Sequence, residues 1–352
     1  MANIFTNLFG KKENRKPLSN TALLLTITVC TFFGMYLLGM IIWQGGFLNP
    51  QQFFNLFNNN AYLIVIACGL TIVMITGGID ISVGGTIALI TMTTVVVMED
   101  RGGGILSSIL IALGIGLLMG LVQGYFISYL KIQPFIVTLA GMFFTRGMTT
   151  IVSKVPRTAT NAAFVALKDH YIYIPFIGIH KHGNWIPSYI EIGAIVAIVV
   201  LIALWATLKY TRFGRNLYAV GGNNESALML GINVQRTQFF SYVLCGILAG
   251  IGGFVYLTHT GAGNASNAAG AEMQAIASSI IGGTLLSGGV GSVIGTLFGV
   301  LSLKTINIIV VASGLREPYW QSITTGLMLA FFIVLQSVIL DHRKKKLGNM
   351  AG

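Results

Sequence analysis

The sequence predicts an all-α, polytopic integral membrane protein with about ten transmembrane helices, one of them short, and with both termini in the cytoplasm. Three observations lead to this prediction. Of the 352 residues, 54% are hydrophobic and only 9% are charged, whereas a soluble domain carries about 25% charged residues. The mean hydropathy is +0.79. The apolar residues are also gathered in long windows that alternate with polar loops.

Nine apolar windows are each able to cross a hydrocarbon core of about 30 Å, which takes about 20 helical residues. They cover residues 21–43, 59–76, 81–98, 105–130, 134–152, 190–208, 237–259, 290–311 and 320–340. A tenth window, 273–286, is shorter and is expected to be a half-span or a short packed helix. Such a segment is tolerated where it is buried in protein.

Positive charges predict the orientation. With ten crossings and a cytoplasmic N-terminus, 13 Lys and Arg residues lie inside, 6 lie outside and 2 lie within spans, as the positive-inside rule requires. Two cytoplasmic termini need an even number of crossings, so the short segment is expected to cross or to form a re-entrant pair. The chain then comprises a tail (1–20), a transmembrane domain (21–340) and a basic tail (341–352). Its long loops are external (153–189) and cytoplasmic (209–236).

The residue types present argue against several function classes. The net charge of +11 comes from basic clusters beside apolar windows, which is the membrane pattern, so lipid rather than nucleic acid is the expected partner. The 5 histidines and 3 cysteines show no zinc-type spacing, and neither a nucleophile elbow nor a phosphate-binding loop occurs. We therefore expect a transport subunit rather than an enzyme, with no cofactor bound by this chain.

Regularly spaced glycines predict close helix packing. Residues 116, 120 and 124 form one series and residues 291, 295 and 299 another, and each series gives a helix a flat groove. A weak internal match of TGGIDISVGGTI (76–87) with SGGVGSVIGTL (287–297), with one gap, suggests a repeat. Repeats are common in transporters, although glycine-rich segments also match by chance.

Polar side chains inside spans are candidates for a transport pathway, because burying them in a membrane is costly. Arg146 and Lys304 lie within apolar windows, and Asn307 follows Lys304 on the same window. Phe143 and Phe144 are aromatic candidates for the same path. The alternative is that these cations pair with an acid or extend to the membrane surface.

The stretch TGGIDISVGG (76–85) places a carboxylate, that of Asp80, between two apolar windows. The charge count places it at the cytoplasmic ends of two spans, so we expect a hairpin hinge rather than a binding site. Gly77 and Gly78 allow a tight turn. Asp80 is predicted to cap a helix that begins at Ile81, by accepting a hydrogen bond from the amide of Ser82 or Val83. The last two glycines of this hinge region, which comprises Gly77, Gly78, Asp80, Ser82, Gly84 and Gly85, let a neighbouring helix pack closely.

Three motifs together resemble the sugar-importing ABC transporter permeases of the ribose, xylose and galactoside branch. They are GGIDISVGG (77–85), TRFGRNLYAVGGNNESALMLGI (211–232) and IGGTLLSGGVGSVIGTLFGV (281–300). TLAGMFFTRG (138–147) is most similar to the galactofuranose permease of that branch. The resemblance covers about residues 20–340. It implies a helical permease half that dimerises with itself or a related chain and transports a monosaccharide by alternating access.

The resemblance also gives the cytoplasmic loop a role. ESALMLG, with Glu225, Ser226, Ala227 and Gly231, is similar to the coupling signature through which ABC permeases contact their ATPase. Asn223 or Asn224 is expected to cap a short helix here, and Gly231 to end it in left-handed geometry. The full candidate set is Gly222, Asn223, Asn224, Glu225, Ser226, Ala227 and Gly231. An ordinary capped surface helix is the alternative.

The implied partners are an ATPase subunit, which uses ATP and Mg²⁺, and an extracytoplasmic sugar-binding protein. Isolated basic residues on the external side are candidates for docking that protein through its acidic groups, namely Arg157, Lys168, Lys181 and Arg316. The implied location is the cytoplasmic (inner) membrane of a bacterium. A self-contained, ion-coupled secondary sugar transporter is the alternative function.

Overall fold

A computed structural model describes residues 20–181 and 184–351. The first half contains the helices α1 (Asn20–Ile42), α2 (Gln44–Phe47), α3 (Pro50–Asn58), α4 (Ala61–Ile75), α5 (Val83–Arg101), α6 (Ile105–Ser128), α7 (Pro134–Val152) and α8 (Ala162–Lys168). The second half contains α9 (Ile192–Tyr210), α10 (Arg212–Gly222), α11 (Asn224–Met229), α12 (Val234–Thr260), α13 (Ala271–Ile281), α14 (Val293–Ala312) and α15 (Pro318–Ala351). The strands are β1 (Arg157–Thr158), β2 (Tyr171–Lys181), β3 (Asn184–Glu191) and β4 (Ala262–Gly263).

The prediction of a polytopic, mainly helical membrane protein is confirmed. Within the described ranges, 8 helices are long and apolar enough to cross a membrane, or 9 when α3 and α4, bent by 53°, are taken as one span. The strands are a departure from the all-α prediction. β2 and β3 form an antiparallel hairpin within the predicted external loop, and β1 pairs with β4. The side-chain amides of Gln51 and Asn58 hold the hairpin onto α3 through the backbone of Tyr189.

The helices connect two opposite faces of the molecule. The near face carries residues 128–134, 210–234 and 282–292, and the far face carries residues 42–60, 153–191 and 260–270. The 11-residue α13 runs between these faces but is not among the 8 or 9 candidate spans of the described chain, so a tenth crossing stays a prediction. The start of α1 lies at the near face, where Thr21 shares a cavity with Lys209 and Tyr218. The near face is the predicted cytoplasmic side, and that orientation stays a prediction.

Helix α4 is the centre of the fold. Every residue of α4 except Tyr62 is buried, which agrees with its apolar character on all sides. It packs against α12, α13, α9 and α14. The outer helices instead leave large apolar side chains exposed, for example Leu118, Val199 and Leu327. An exposed apolar belt of this kind is the surface that a lipid bilayer covers.

The glycine series bring helix backbones together as predicted. A Cβ on Gly120 would lie 2.7 Å from the carbonyl oxygen of Tyr242, and one on Gly116 would overlap the carbonyl of Gly246, so α6 and α12 touch backbone to backbone. A Cβ on Gly299 would likewise overlap the carbonyl of Ser278, which joins α14 to α13. Small residues at these positions are therefore a geometric requirement of the packing.

The two segments that match in sequence, 76–87 and 287–297, also have similar local geometry. The units α4–loop–α5 and α13–loop–α14 each run to the near face, turn through a glycine loop and return. Gly77 and Gly288, which the alignment equates, have φ of +81° and +84°. Each returning helix begins after a serine whose carbonyl accepts a threonine hydroxyl one turn later, Thr86 to Ser82 at 3.0 Å and Thr296 to Ser292 at 3.1 Å. The repeat stays a prediction, and we call the two segments α4–loop–α5 and α13–loop–α14 the repeat units.

Candidate functional site

The short helix α11 has the local geometry that the sequence predicts. The side-chain oxygen of Asn223 accepts a hydrogen bond from the amide of Ser226 at 2.8 Å and caps the helix. Gly231 has a φ of +78°. The amide of Ile232 donates to the carbonyl of Ala227 at 3.0 Å, so the helix ends in the left-handed turn expected of a glycine C-cap. Glu225 lies in the first turn, where its charge complements the helix dipole.

The side chains of α11 divide into a buried anchor and an exposed apolar tip. Ala227 is buried against the rest of the chain. The exposed fractions of Leu228, Met229 and Leu230 are 66%, 87% and 78%. Three successive apolar side chains on a short polar-capped helix form a surface that is suited to a protein partner. These three residues were not predicted as a contact surface, although three successive apolar residues after Glu225, Ser226 and Ala227 are visible in the sequence.

Immediately before α11, the chain makes the closest approach on the near face. A Cβ on Gly221 would overlap the carbonyl oxygen of Ile75 and would lie 2.5 Å from the amide nitrogen of Gly289. Gly289 also donates to the carbonyl of Ile75 at 2.9 Å. We call this meeting of three loops the glycine junction, defined by Gly77, Gly221, Gly222, Gly288 and Gly289. It joins the end of α10 to the loops of both repeat units.

A second contact fixes α10 to the loop between α13 and α14. The hydroxyl of Tyr218 donates to the carbonyl of Gly291 at 2.9 Å. Burial raises the pKa of Tyr218, so the phenol stays protonated and remains a donor at neutral pH. Helix α10 is therefore attached to this loop through a side chain as well as through its backbone.

Asp80 makes the predicted local hydrogen bonds but lies at an unexpected depth. Its Oδ1 accepts from the amide of Ser82 at 2.9 Å and from the Ser82 hydroxyl at 2.7 Å. The helix begins at Val83 rather than Ile81, so Ser82 occupies the N-cap position and Asp80 stabilises the turn before it. Asp80 is 2% exposed.

Asp80 lies between the end of α4 and the start of α5, as expected, but it is buried deep among the helices. The carboxylate lies beside Cys245 of α12, a residue about 16 Å along that helix from its near-face end at 1.5 Å per residue. Residues 76–82 return into the protein as a loop before α5 begins, so a helix end need not coincide with a membrane surface. A non-helical segment at this depth is tolerated because the surrounding helices bury it.

The other glycines of the hinge region allow close contacts, as predicted. A Cβ on Gly78 would overlap the hydroxyl of Tyr242. One on Gly84 would overlap the carboxylate of Glu272, and one on Gly85 would overlap the hydroxyl of Thr145. Glu272 lies in the first turn of α13 and is 8% exposed. Like Asp80, it lies inside the protein.

The pathway candidates lie in different places. Arg146 donates from Nη1 to the backbone carbonyls of Ala265 at 2.8 Å and Asn267 at 2.7 Å, and so fixes the segment before α13. Phe143 and Phe144 are 65% and 59% exposed on the outer side of α7. Both phenylalanines share α7 with Arg146, and neither lines the cavity of Lys304 and Asn307.

Lys304 and Asn307 share one cavity on the far face. It has a volume of about 400 Å³ and lies between α3, α14 and α15. Lys304 Nζ donates to the side-chain oxygen of Gln274 at 2.6 Å. The structure therefore brings together two of the five pathway candidates and leaves the other three elsewhere.

The predicted docking residues on the far face are only partly free. Arg157 forms an exposed ion pair with Asp100 at 3.4 Å. The alkyl chain of Lys168 approaches Gly261, and Arg316 is exposed between α14 and α15. The side chain of Lys181 lies outside the described residues, as do residues 1–19 of the predicted N-terminal tail. The helix α15 continues through the predicted basic tail as far as Ala351.

Comparisons with known proteins agree with the resemblance found in the motifs. A family model described as branched-chain amino acid transport system / permease component matches residues 52–333. The inner membrane ABC transporter permease protein YjfF of Escherichia coli (strain K12) is 37% identical over 328 residues, which are 92% of this chain and 95% of the relative. No solved structure matches the chain.

Two further relatives are named for sugars. The fructose import permease protein FruG of Bifidobacterium longum is 33% identical over 333 residues, 94% of each chain. The galactose/methyl galactoside import permease protein MglC of Escherichia coli (strain K12) is 30% identical over 328 residues, 89% of this chain and 94% of the relative.

The role of Asp80 can be tested by two substitutions. Asp80→Asn retains an oxygen that accepts from Ser82, so we expect a similar yield of folded protein in detergent. Asp80→Leu leaves the buried donors of Ser82 unpaired, which costs about 1–3 kcal/mol for each group, so the melting temperature should fall clearly. The measurement is thermal unfolding of purified protein. An equally large loss for both variants would show that the charge itself is required.

Proposed function

The chain belongs to the family of branched-chain amino acid transport system permease components, and on that premise we propose that it is the permease subunit of an ATP-driven importer for a monosaccharide. It would work by alternating access in the cytoplasmic membrane of a bacterium, with the near face in the cytoplasm. ATP and Mg²⁺ would be used by a separate ATPase, and a second permease copy or a related permease would complete the membrane part.

The observation that carries this proposal is the exposed apolar tip of α11 beside the glycine junction. The tip consists of Leu228, Met229 and Leu230, and Gly222 of the junction lies six residues before Leu228. A partner that moves α11 would thus act on a segment that already touches both repeat units. An isolated surface helix has no such connection, which disfavours the alternative of an ordinary capped helix.

Close packing would transmit the motion. At Gly221 the backbone of α10 contacts the backbones of residues 75 and 289 with no intervening side chain. Packed protein is weakly compressible, so a displacement of α10 must displace these loops or break the contact. Each loop joins two helices of the core, α4 to α5 and α13 to α14. Movement of α11 would in this way alter both helix pairs together.

A monosaccharide is proposed as substrate because two relatives with high coverage are named for fructose and for galactose or methyl galactoside import. The motif TLAGMFFTRG favours galactofuranose, with galactose, ribose and xylose as the other members of the class. On the far face, Arg157, Lys168 and Arg316 remain the proposed contacts for an acidic surface on a sugar-binding protein. The β2–β3 hairpin extends this face and adds exposed aromatic groups, Phe176 and Trp185.

Partner binding through α11 can be tested with Met229→Glu. A carboxylate at the centre of an apolar contact must be desolvated on binding, so co-purification with the ATPase subunit should fall at least tenfold. Tyr210→Ser, which alters another exposed residue of the near face, is the matched control and should retain the ATPase. Equal retention by Met229→Glu would contradict the docking role, and the absence of any ATPase partner for the wild type would favour the secondary transporter.

Transmission through the junction can be tested with two neighbouring glycines. Gly221→Ala places a methyl group on the carbonyl of Ile75, whereas Gly222→Ala places one in open space. We expect Gly221→Ala to retain the ATPase and to lower sugar uptake at least tenfold, while Gly222→Ala retains both. The measurements are co-purification and uptake of labelled sugar at matched expression. Normal uptake by Gly221→Ala would exclude the junction as the coupling element.

A further inference from the structure

We propose that the cavity between α3, α14 and α15 binds a neutral monosaccharide during its passage through the permease. This inference rests on the proposed function and deepens it, because it assigns the substrate class to a set of residues. The cavity lies on the far face, where substrate would arrive, and its volume of about 400 Å³ falls within the range of small-molecule sites.

The chemistry of the lining fits a polyol. Side-chain amides dominate the polar part of the lining, namely those of Gln52, Asn55, Asn59, Asn60, Asn307 and Gln321. Each amide carries both donors and an acceptor, although Asn55 Oδ1 already accepts from Gln51 and Asn60 Nδ2 already donates to Leu56. Each sugar hydroxyl is likewise both a donor and an acceptor. A ring of amides therefore satisfies hydroxyl groups in several orientations without a net charge.

Two groups in the cavity have hydrogen-bonding capacity that the described residues do not use. The side-chain oxygen of Asn307 is buried and has no hydrogen-bond partner in the described part of the chain. Lys304 is an ammonium with three donors, and the hydrogen bond shown for it is the one to Gln274. Both residues line the cavity. Leaving a buried polar atom unpaired is costly, so a polar ligand that reaches Asn307 would satisfy its side-chain oxygen.

The lining also argues against other substrates. The described residues of the lining include no carboxylate, so they offer no anionic partner for a metal ion or for the ammonium group of an amino acid. The cation among them, Lys304, is an ammonium already engaged by an amide, whereas phosphate sites gather several charged or backbone donors. These residues include no aromatic ring either, so they would hold a sugar by hydrogen bonds. Such weak binding suits a site that must release its substrate.

The position of Lys304 connects this cavity to the coupling mechanism. Lys304 is on α14 and its partner Gln274 is on α13, so one hydrogen bond at the cavity joins both helices of the second repeat unit. The loop of that unit forms part of the glycine junction at Gly288 and Gly289. Movement of the junction would therefore change the relative position of the two helices that hold the cavity's charged group.

The test uses the complete importer in proteoliposomes, with the wild-type chain, its ATPase and its binding protein. Uptake of labelled galactose, fructose, ribose and leucine is measured beside ATP hydrolysis stimulated by the loaded binding protein. For the transported sugar, Asn307→Leu and Lys304→Met should each lower uptake at least tenfold while ATP hydrolysis stays within twofold. Asn307→Gln, which restores the amide, should recover most of the uptake.

Thr325→Val is the matched control. Its hydroxyl donates to the carbonyl of Gln321 within α15, and Thr325 does not line the cavity, so uptake should be unchanged. A wild type that imports leucine but no sugar would overturn the proposed function itself. A wild type that imports sugar while Asn307→Leu and Lys304→Met transport normally would overturn only the cavity. Loss of both uptake and ATP hydrolysis in Asn307→Gln would assign Asn307 to folding instead. That result would also overturn the proposal that the cavity binds sugar.

A second measurement does not depend on transport. Asn307→Cys in a Cys30→Ser background leaves Cys68 and Cys245, both buried, as the remaining thiols. A hydrophilic thiol reagent should modify Cys at position 307, and millimolar transported sugar should slow that reaction at least fivefold, whereas leucine should not. An unchanged rate with the sugar would contradict binding in the cavity.

Discussion

The fold depends on direct backbone-to-backbone contact at the glycine junction. Gly221 has no space for a Cβ, because the carbonyl of Ile75 and the amide of Gly289 occupy that position. The same carbonyl and amide are joined by a hydrogen bond of 2.9 Å. Three segments far apart in the sequence thus meet without any side chain between them. The proposed path from α11 to the membrane core requires this contact, because it joins α10 directly to both loops.

The two repeat units explain why polar residues occur so deep in an apolar protein. Each unit approaches the near face as a helix, turns, and begins its next helix after a short irregular segment. The unpaired backbone groups of such a segment need polar partners, and Asp80 supplies one by accepting from Ser82. At the far face, Arg146 stabilises another irregular segment by donating to the carbonyls of Ala265 and Asn267. Asp80 and Arg146 therefore stabilise the backbone of irregular segments. Lys304 and Asn307 differ from them because they line a cavity.

Much of the fold was predictable from the sequence, because hydropathy windows, glycine spacing and capping residues are local signals. Asn223 and Gly231 were identified in this way, and so were the spans. Depth and exposure are tertiary properties, and here the prediction failed or stopped. Hydropathy cannot show that residues 76–82 fold back into the protein, so the burial of Asp80 was not predicted. It also cannot show that Ala227 faces inward while Met229 faces outward, or that Lys304 reaches Gln274 on another helix.

Hydrogen–deuterium exchange on the complete importer tests the role of the glycine junction most directly. The complex in lipid nanodiscs would be compared without nucleotide and after trapping with ATP and vanadate. If the junction transmits the motion of the ATPase, amides in 75–82 and 285–291 will change their protection together with those in 212–230. A change confined to 212–230, with the same exchange in both loops before and after trapping, would contradict transmission through the junction.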